Sequence, residues 1–194
     1  TGPAGRGEVV ANVLAALEAG GVLASTIDAV GYRVVHGGTR FTGPVIIDDG
    51  VLEAIDALAP LAPLHNPVAT DTIRAARTAL PGVPHVACFD TAFHATLPAA
   101  AHRYPVPAAW YEAWGVRRFG FHGLSVAWSV TRAGELLERE PASLGLVVAH
   151  LGSGCSVTAV AHGRSADTSM GMTPLEGLMM GTRAGSIDPA TKAE

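Results

Sequence analysis

Between residues 144 and 163 the chain reads LGLVVAH, then LGSG, then CSVTAVAHG: two apolar runs of strand length parted by two glycines around one serine. Backbone groups in such runs must be paired once they leave water. A parallel pairing needs a crossover of about a dozen residues or more, which this spacing does not leave. The stretch therefore predicts an antiparallel hairpin, with His162–Gly163 as a second turn into a short third strand. Gly152 and Gly154 let backbone N–H groups turn inward and cradle phosphate oxygens, with His150 at the strand end and Ser153 between them.

The first half has a different rhythm. Residues 9–21 carry Val9, Val10, Val13, Leu14 and Leu17 at helical spacing and end on Gly20–Gly21, as a short surface helix would. The run 30-VGYRVVHGG-38 reads as a strand opening into a glycine loop, and 41-FTGPVII-47 as a second short strand interrupted by Pro44. Asp48 and Asp49 cap a helix that the prolines at 60 and 63 end. Asn66 is expected as the N-cap of a helix over 66–80 with Pro67 at its first position. Residues 83-VPHVACFDTAFH-94 form a buried strand ending in Asp90. An aromatic helix over 108–115, the turn 119-FGFHG-123 and a helix over about 125–140 follow. Helix, apolar strand and polar cluster in succession are the αβ pattern that sets ligand groups outside strand ends. A domain boundary is expected near Asp90, giving units 1–90 and 91–194.

Composition bounds the function. With 13 basic and 17 acidic residues among 194, the net charge is −4, which offers no cationic field for nucleic acid or an anionic membrane. No run approaches the roughly 20 apolar residues of a spanning helix, and no targeting signal is read, so a cytoplasmic, soluble protein is expected. Cys88 and Cys155 lie in apolar runs and are expected as reduced thiols. They are too far apart for a cysteine-bound zinc site. The only lysine is Lys192, and no GxxxxGK[ST] or strand-borne GxGxxG occurs, which removes P-loop kinases and leaves dinucleotide binding without support. Ser125 and Ser156 lack a hydrolase elbow.

Several polar residues stand where a bland reading competes with a chemical one. Arg33, ahead of 34-VVHGG-38, is either an edge arginine or the planar fork of an oxyanion pocket. Asp90 either caps the turn at Thr91 or serves as a buried carboxylate that orients an oxygen or holds Mg2+. His122, between Gly120 and Gly123 and flanked by Phe119 and Phe121, is either an aromatic corner or an aimed imidazole donating to developing charge. Arg183, in 181-GTRAG-185, pairs with Asp188 or touches substrate. His65 and His94 fit loop hydrogen bonding and packing.

Taken together, 33-RVVHGG-38, 63-PLHNP-67, 87-ACFDTAFH-94, 119-FGFHG-123, 149-AHLGSG-154 and 172-MTPLEGLMMGTRAGSIDP-189 resemble the acetate kinase family in order and spacing, over nearly the whole chain. The resemblance implies an incomplete two-domain α/β fold of ribonuclease H-like, actin-like ATPase type, with mixed sheets flanked by helices. It implies transfer of a phosphoryl group between ATP and acetate, giving ADP and acetyl phosphate, with Mg2+. By motif, Arg33 and Arg183 would clamp the carboxylate and the transferring phosphoryl, and His122 would stabilise that phosphoryl in flight. Asp90 would orient acetate or bind Mg2+ through water, and His150 with Gly152, Ser153 and Gly154 would hold nucleotide phosphates. Val34, Leu64, Phe93 and Pro174 resemble the wall around the acetate methyl. A homodimer is the expected assembly.

The sequence departs from that family's pattern in two places. Ser153 stands where the family has asparagine, and Leu124 and Val126 replace polar groups after 120-GFHG-123. Family members are about twice this length, so the resemblance sets residue 1 inside the first domain and residue 194 inside the second. The opening glycine hairpin, the adenosine-binding segment and the Mg2+-binding glutamate have no counterpart in these residues. Two other readings follow: a catalytically silent remnant acting as a fold or dimerisation module, and a kinase for propionate or butyrate.

Overall fold

The computed structural model describes residues 5–188 and 190 and divides into two compact units, 1–36 with 43–88, and 37–42 with 89–194. Lys192 lies outside the described residues.

The first unit is built on a three-stranded sheet in the order β1 (Val30–Val34), β3 (His85–Phe89), β2 (Val45–Ile46), with β2 antiparallel to β3. Helices α1 (Arg6–Ala19), α2 (Asp49–Asp56) and α3 (Asn66–Ala79) accompany it, and α3 contacts β1, α1 and α2. Val34, Ile47, Leu52, Ile55, Ile73 and Ala87 form its buried apolar set. Asp48 caps α2 as expected, accepting from the Val51 N–H at 2.7 Å. Asn66 does not cap α3. The helix starts at Asn66 itself, with His65 at the N-cap position. The fully buried Asn66 amide instead grips the end of β1, with Oδ1 accepting from the His36 N–H at 3.2 Å and Nδ2 donating to the His36 carbonyl at 3.0 Å. A buried backbone pair at the strand end outcompetes a helix N–H for the same side chain.

The second unit holds the predicted hairpin. Strands β4 (Gly145–Leu151), β5 (Cys155–Ala161) and β6 (Arg164–Thr168) pair antiparallel in chain order, with an irregularity at Ala159–Val160. The turn between β5 and β6 puts His162 and Gly163 at φ 53° and 71°. After the short helices α4 (Ala99–His102) and α5 (Ala108–Trp114), helix α6 (Gly123–Leu137) packs on the sheet. There Val126 and Val130 meet Val160, with Phe93, Leu146 and Val148 around them.

Two polar knots fasten this unit. His94 is fully buried, with Nε2 2.9 Å from the Phe121 carbonyl and Nδ1 2.8 Å from Ser165 Oγ, and burial pushes its pKa down. Arg118 donates from Nη1 to the carbonyls of Thr168, Ser169 and Met170, and from Nη2 to Glu176 at 3.0 Å. Glu176 also accepts from the Tyr104 hydroxyl, which itself accepts from the Met172 N–H at 2.8 Å. The knot ties the loop after β6 to the segment before α6. Both cysteines are free thiols, as expected.

Glu176→Ala leaves Arg118 and Tyr104 without their carboxylate and is expected to lower stability by about 2 kcal/mol in chemical denaturation. Burial, helped by the Glu176 hydrogen bond and charge, pushes Tyr104 from 10.0 up to about 12, and burial does the same for Tyr32. The fold disfavours both phenolates, so this contribution is complete below pH 10 and is lost as pH rises through about 12. The thermal midpoint should fall across that window, and by less in Tyr104→Phe; an equal fall would show that Tyr104 is not a source of it. Separately, β4 is a sheet edge carrying Val147 and Leu151 at 75% and 74% exposure. Such an edge favours pairing with another chain. Light scattering should show concentration-dependent self-association that Val147→Lys weakens; a monomer at all concentrations would contradict this.

Candidate functional site

The second unit gathers His122, His150, Pro174, Arg183 and the Gly152–Gly154 turn. Its geometry begins at Gly123, whose N–H donates to the Asp90 carbonyl at 2.9 Å. A Cβ at Gly123 would collide with that carbonyl oxygen and press on Phe93 at 2.9 Å, so no larger residue fits. The preceding residue, His122, takes the left-handed conformation at φ 60°, unusual for a residue with a side chain. Phe119 and Phe121 on either side of Gly120 are buried and anchor the turn. Packing and hydrogen bonds offset the backbone strain and aim the imidazole.

His122 Nδ1 lies 2.9 Å from Ser156 Oγ on β5, and its ring stacks on His150 with centroids 3.9 Å apart at 18°. His150 Nδ1 in turn lies 3.0 Å from Ser125 Oγ on the first turn of α6. The opposite ring edges face the glycine turn. A Cβ built at Gly154 would sit 3.1 Å from His122 Nε2 and 2.7 Å from Arg183 Nη2, and one at Gly152 would sit 3.4 Å from His150 Nε2. The missing side chain of Gly154 thus lets an imidazole edge and a guanidinium close on the turn as a cradle, too tightly to admit even a methyl group there. Arg183 does not pair with Asp188; it donates to the Pro174 carbonyl at 2.7 Å and to the Ser153 carbonyl at 3.4 Å. Those two contacts hold a cation against the turn.

The chemistry of this set suits an anion: one fixed guanidinium, two imidazole edges and a glycine turn. Among the described residues no group of three or more His, Cys, Asp or Glu side chains could hold a metal ion by itself, and Mg2+ at phosphate sites is held largely by substrate oxygens and water. Asp90 is 1% exposed and its negative charge acts on His94.

In the first unit, Arg33 and Leu64 line a groove of about 350 Å3 together with Tyr32, Val35, His65 and Val68. The alternation of β1 decides which valine belongs to it: Val34 is fully buried in the core, while Arg33 and Val35 share the other face. Leu64 is 81% exposed. Phe93, named with Val34 for an apolar wall, packs on the α6 cluster and edge-on to His94.

Sequence reasoning missed Val35, Ser125 and Ser156 as members of these clusters. The period of two in β1 and β5 was available for Val35 and Ser156. Ser125 had no comparable signal, because its partner lies 25 residues away. Of the departures, Val126 is core, and His122 keeps a hydroxyl partner through Ser156.

Residues 4–192 match the acetokinase family. The acetate kinase of Deinococcus radiodurans is 60% identical over 165 residues, covering 85% of this chain and 42% of that protein. The acetate kinase of Thermotoga maritima is 54% identical over 164 residues, covering 84% of this chain and 41% of that protein. The crystal structures of a propionate kinase from Francisella tularensis (43% identity) and of Porphyromonas gingivalis acetate kinase (41%) each superpose with a TM-score of 0.88, covering 94% of this chain and 47% of theirs. The chain thus spans about half the length of the relatives it matches. Its α/β fold, mixed sheets flanked by helices, matches part of the actin-like fold of those structures. The chain belongs to the acetokinase family.

Proposed function

We propose that this chain carries the phosphoryl-holding part of an acetate kinase-type site, and that its 194 residues alone do not complete turnover. The Gly154 cradle carries the reading: Arg183 and His122 converge on the bare backbone of the glycine turn. In the reaction, a carboxylate oxygen of acetate forms a bond to the γ-phosphorus of ATP as the bond from that phosphorus to the bridging oxygen breaks. The electron pair leaves on ADP, and no proton need move. Such a transfer asks the protein for positioning and charge compensation rather than covalent chemistry.

In this reading Arg183 and His122 compensate the equatorial oxygens of the phosphoryl group in flight. His150 and the Gly152–Gly154 turn, with Ser153, hold the nucleotide phosphates. Within the first unit, Arg33 is read as the carboxylate-binding group, with Val35 and Leu64 beside it in the same groove. Incomplete turnover follows from coverage, since more than half of each matched relative has no counterpart within these residues. The likeness to the propionate kinase of Francisella tularensis makes propionate the second candidate acceptor.

The test is acetyl phosphate formation from acetate and Mg-ATP by the purified 194-residue chain, trapped as the hydroxamate, beside Arg183→Ala. No product above background is expected, and calorimetry should show ADP binding weakly or not at all. Saturable turnover that disappears in Arg183→Ala would overturn the claim that these residues do not suffice.

A further inference from the structure

Three histidines of the second unit share one arrangement: a serine hydroxyl on Nδ1. At His94 the roles are fixed by its other edge. Nε2 faces the Phe121 carbonyl, which can only accept, so Nε2 carries the proton. Nδ1 of the neutral ring is then an acceptor, and Ser165 Oγ must donate to it. The pairs Ser156–His122 and Ser125–His150 repeat that contact at 2.9 and 3.0 Å.

What the other edges face gives the repeat its meaning. His122 Nε2 borders the cradle at Gly154, and His150 Nε2 borders Gly152. An unprotonated Nε2 would turn a lone pair toward an anion, whereas Nε2–H donates to it. Charging both rings is a poor alternative, because imidazolium ions stacked with centroids 3.9 Å apart repel. A neutral ring with Nδ1 accepting and Nε2 donating serves both sides. Ser156 suits the donor role because it is fully buried on β5, where its proton has no water to bind.

We infer that Ser156 and Ser125 are positioning residues that hold His122 and His150 as neutral Nε2–H donors along the Gly152–Gly154 turn. The orientation of those donors toward an anion rests on the function proposed above. The hydroxyls act through the imidazoles: each fixes one ring's tautomer and plane. The two stacked rings then present parallel N–H groups to neighbouring positions of the turn. This also accounts for a serine at 125 within an otherwise apolar stretch from Leu124 to Trp128, where only Ala127 is small.

Long-range 1H–15N spectra of the histidine-labelled chain above neutral pH read this directly. His122 and His150 should each show a protonated Nε2 and an Nδ1 displaced upfield by an accepted hydrogen bond. Ser156→Ala should move the Nδ1 resonance of His122 downfield toward the unbonded position, Ser125→Ala should do so for His150, and threonine at either position should restore it. Titration with inorganic phosphate should perturb both Nε2–H signals, with dissociation constants about tenfold weaker in the alanine variants, the scale of one hydrogen bond. A protonated Nδ1 at His122 in the unsubstituted chain, or Nδ1 resonances unmoved by the alanine substitutions, would overturn the inference. Intact Nδ1 signatures with no response to phosphate would support the positioning role and sink the anion-binding reading on which the donors' purpose rests.

Discussion

The contact between the Gly123 N–H and the Asp90 carbonyl organises the second unit. It brings the segment after β3 against the first residue of α6, at a distance only glycine allows. Once Gly123 is fixed there, His122 must turn through a left-handed backbone, and its side chain leaves the helix axis toward β5. The helix beyond lays Val126 and Val130 on the sheet, so the aim of the imidazole and the burial of the core follow from one close approach. Apolar packing supplies the rigidity, and the histidine inherits it.

Arg183 reaches the same place by a different route. Its loop has no regular secondary structure, and its position depends on polar ties: Arg118 to three successive carbonyls, Glu176 between Arg118 and Tyr104, and the Tyr104 hydroxyl to the Met172 N–H. A partly buried ion pair is weak support when isolated, but here each member is also hydrogen-bonded to backbone. Helix α6 and this loop are therefore placed by unlike forces, one hydrophobic and one polar. They meet at Gly154, where the absence of a side chain is what both sides require.

Much of this was legible in the sequence where a period or a punctuating residue carried it. The two apolar runs parted by Gly152 and Gly154 pointed to the hairpin, Asp48 to a helix start, and the phenylalanines at 119 and 121 to the corner that presents His122. The illegible part depends on partners distant in sequence. Asn66 has the chemistry of a cap, yet it binds His36, thirty residues away. Phe93 was named for an apolar wall by the family resemblance, and in the structure it packs, partly buried, against Val126, Val130 and Val160. The family resemblance named His122, His150 and Arg183 together; the serines behind both imidazoles emerge only from the folded arrangement.

The central claim is that His122 and Arg183, brought together against the bare backbone of Gly154, hold a phosphoryl group. Calorimetric titration of inorganic phosphate into the chain and into Gly154→Ala tests it most directly, because the added methyl presses on the ends of the Arg183 and His122 side chains and must displace them. The account predicts saturable binding that is lost in Gly154→Ala while circular dichroism and melting remain those of the unsubstituted chain. Equal phosphate affinity in the two proteins would contradict it.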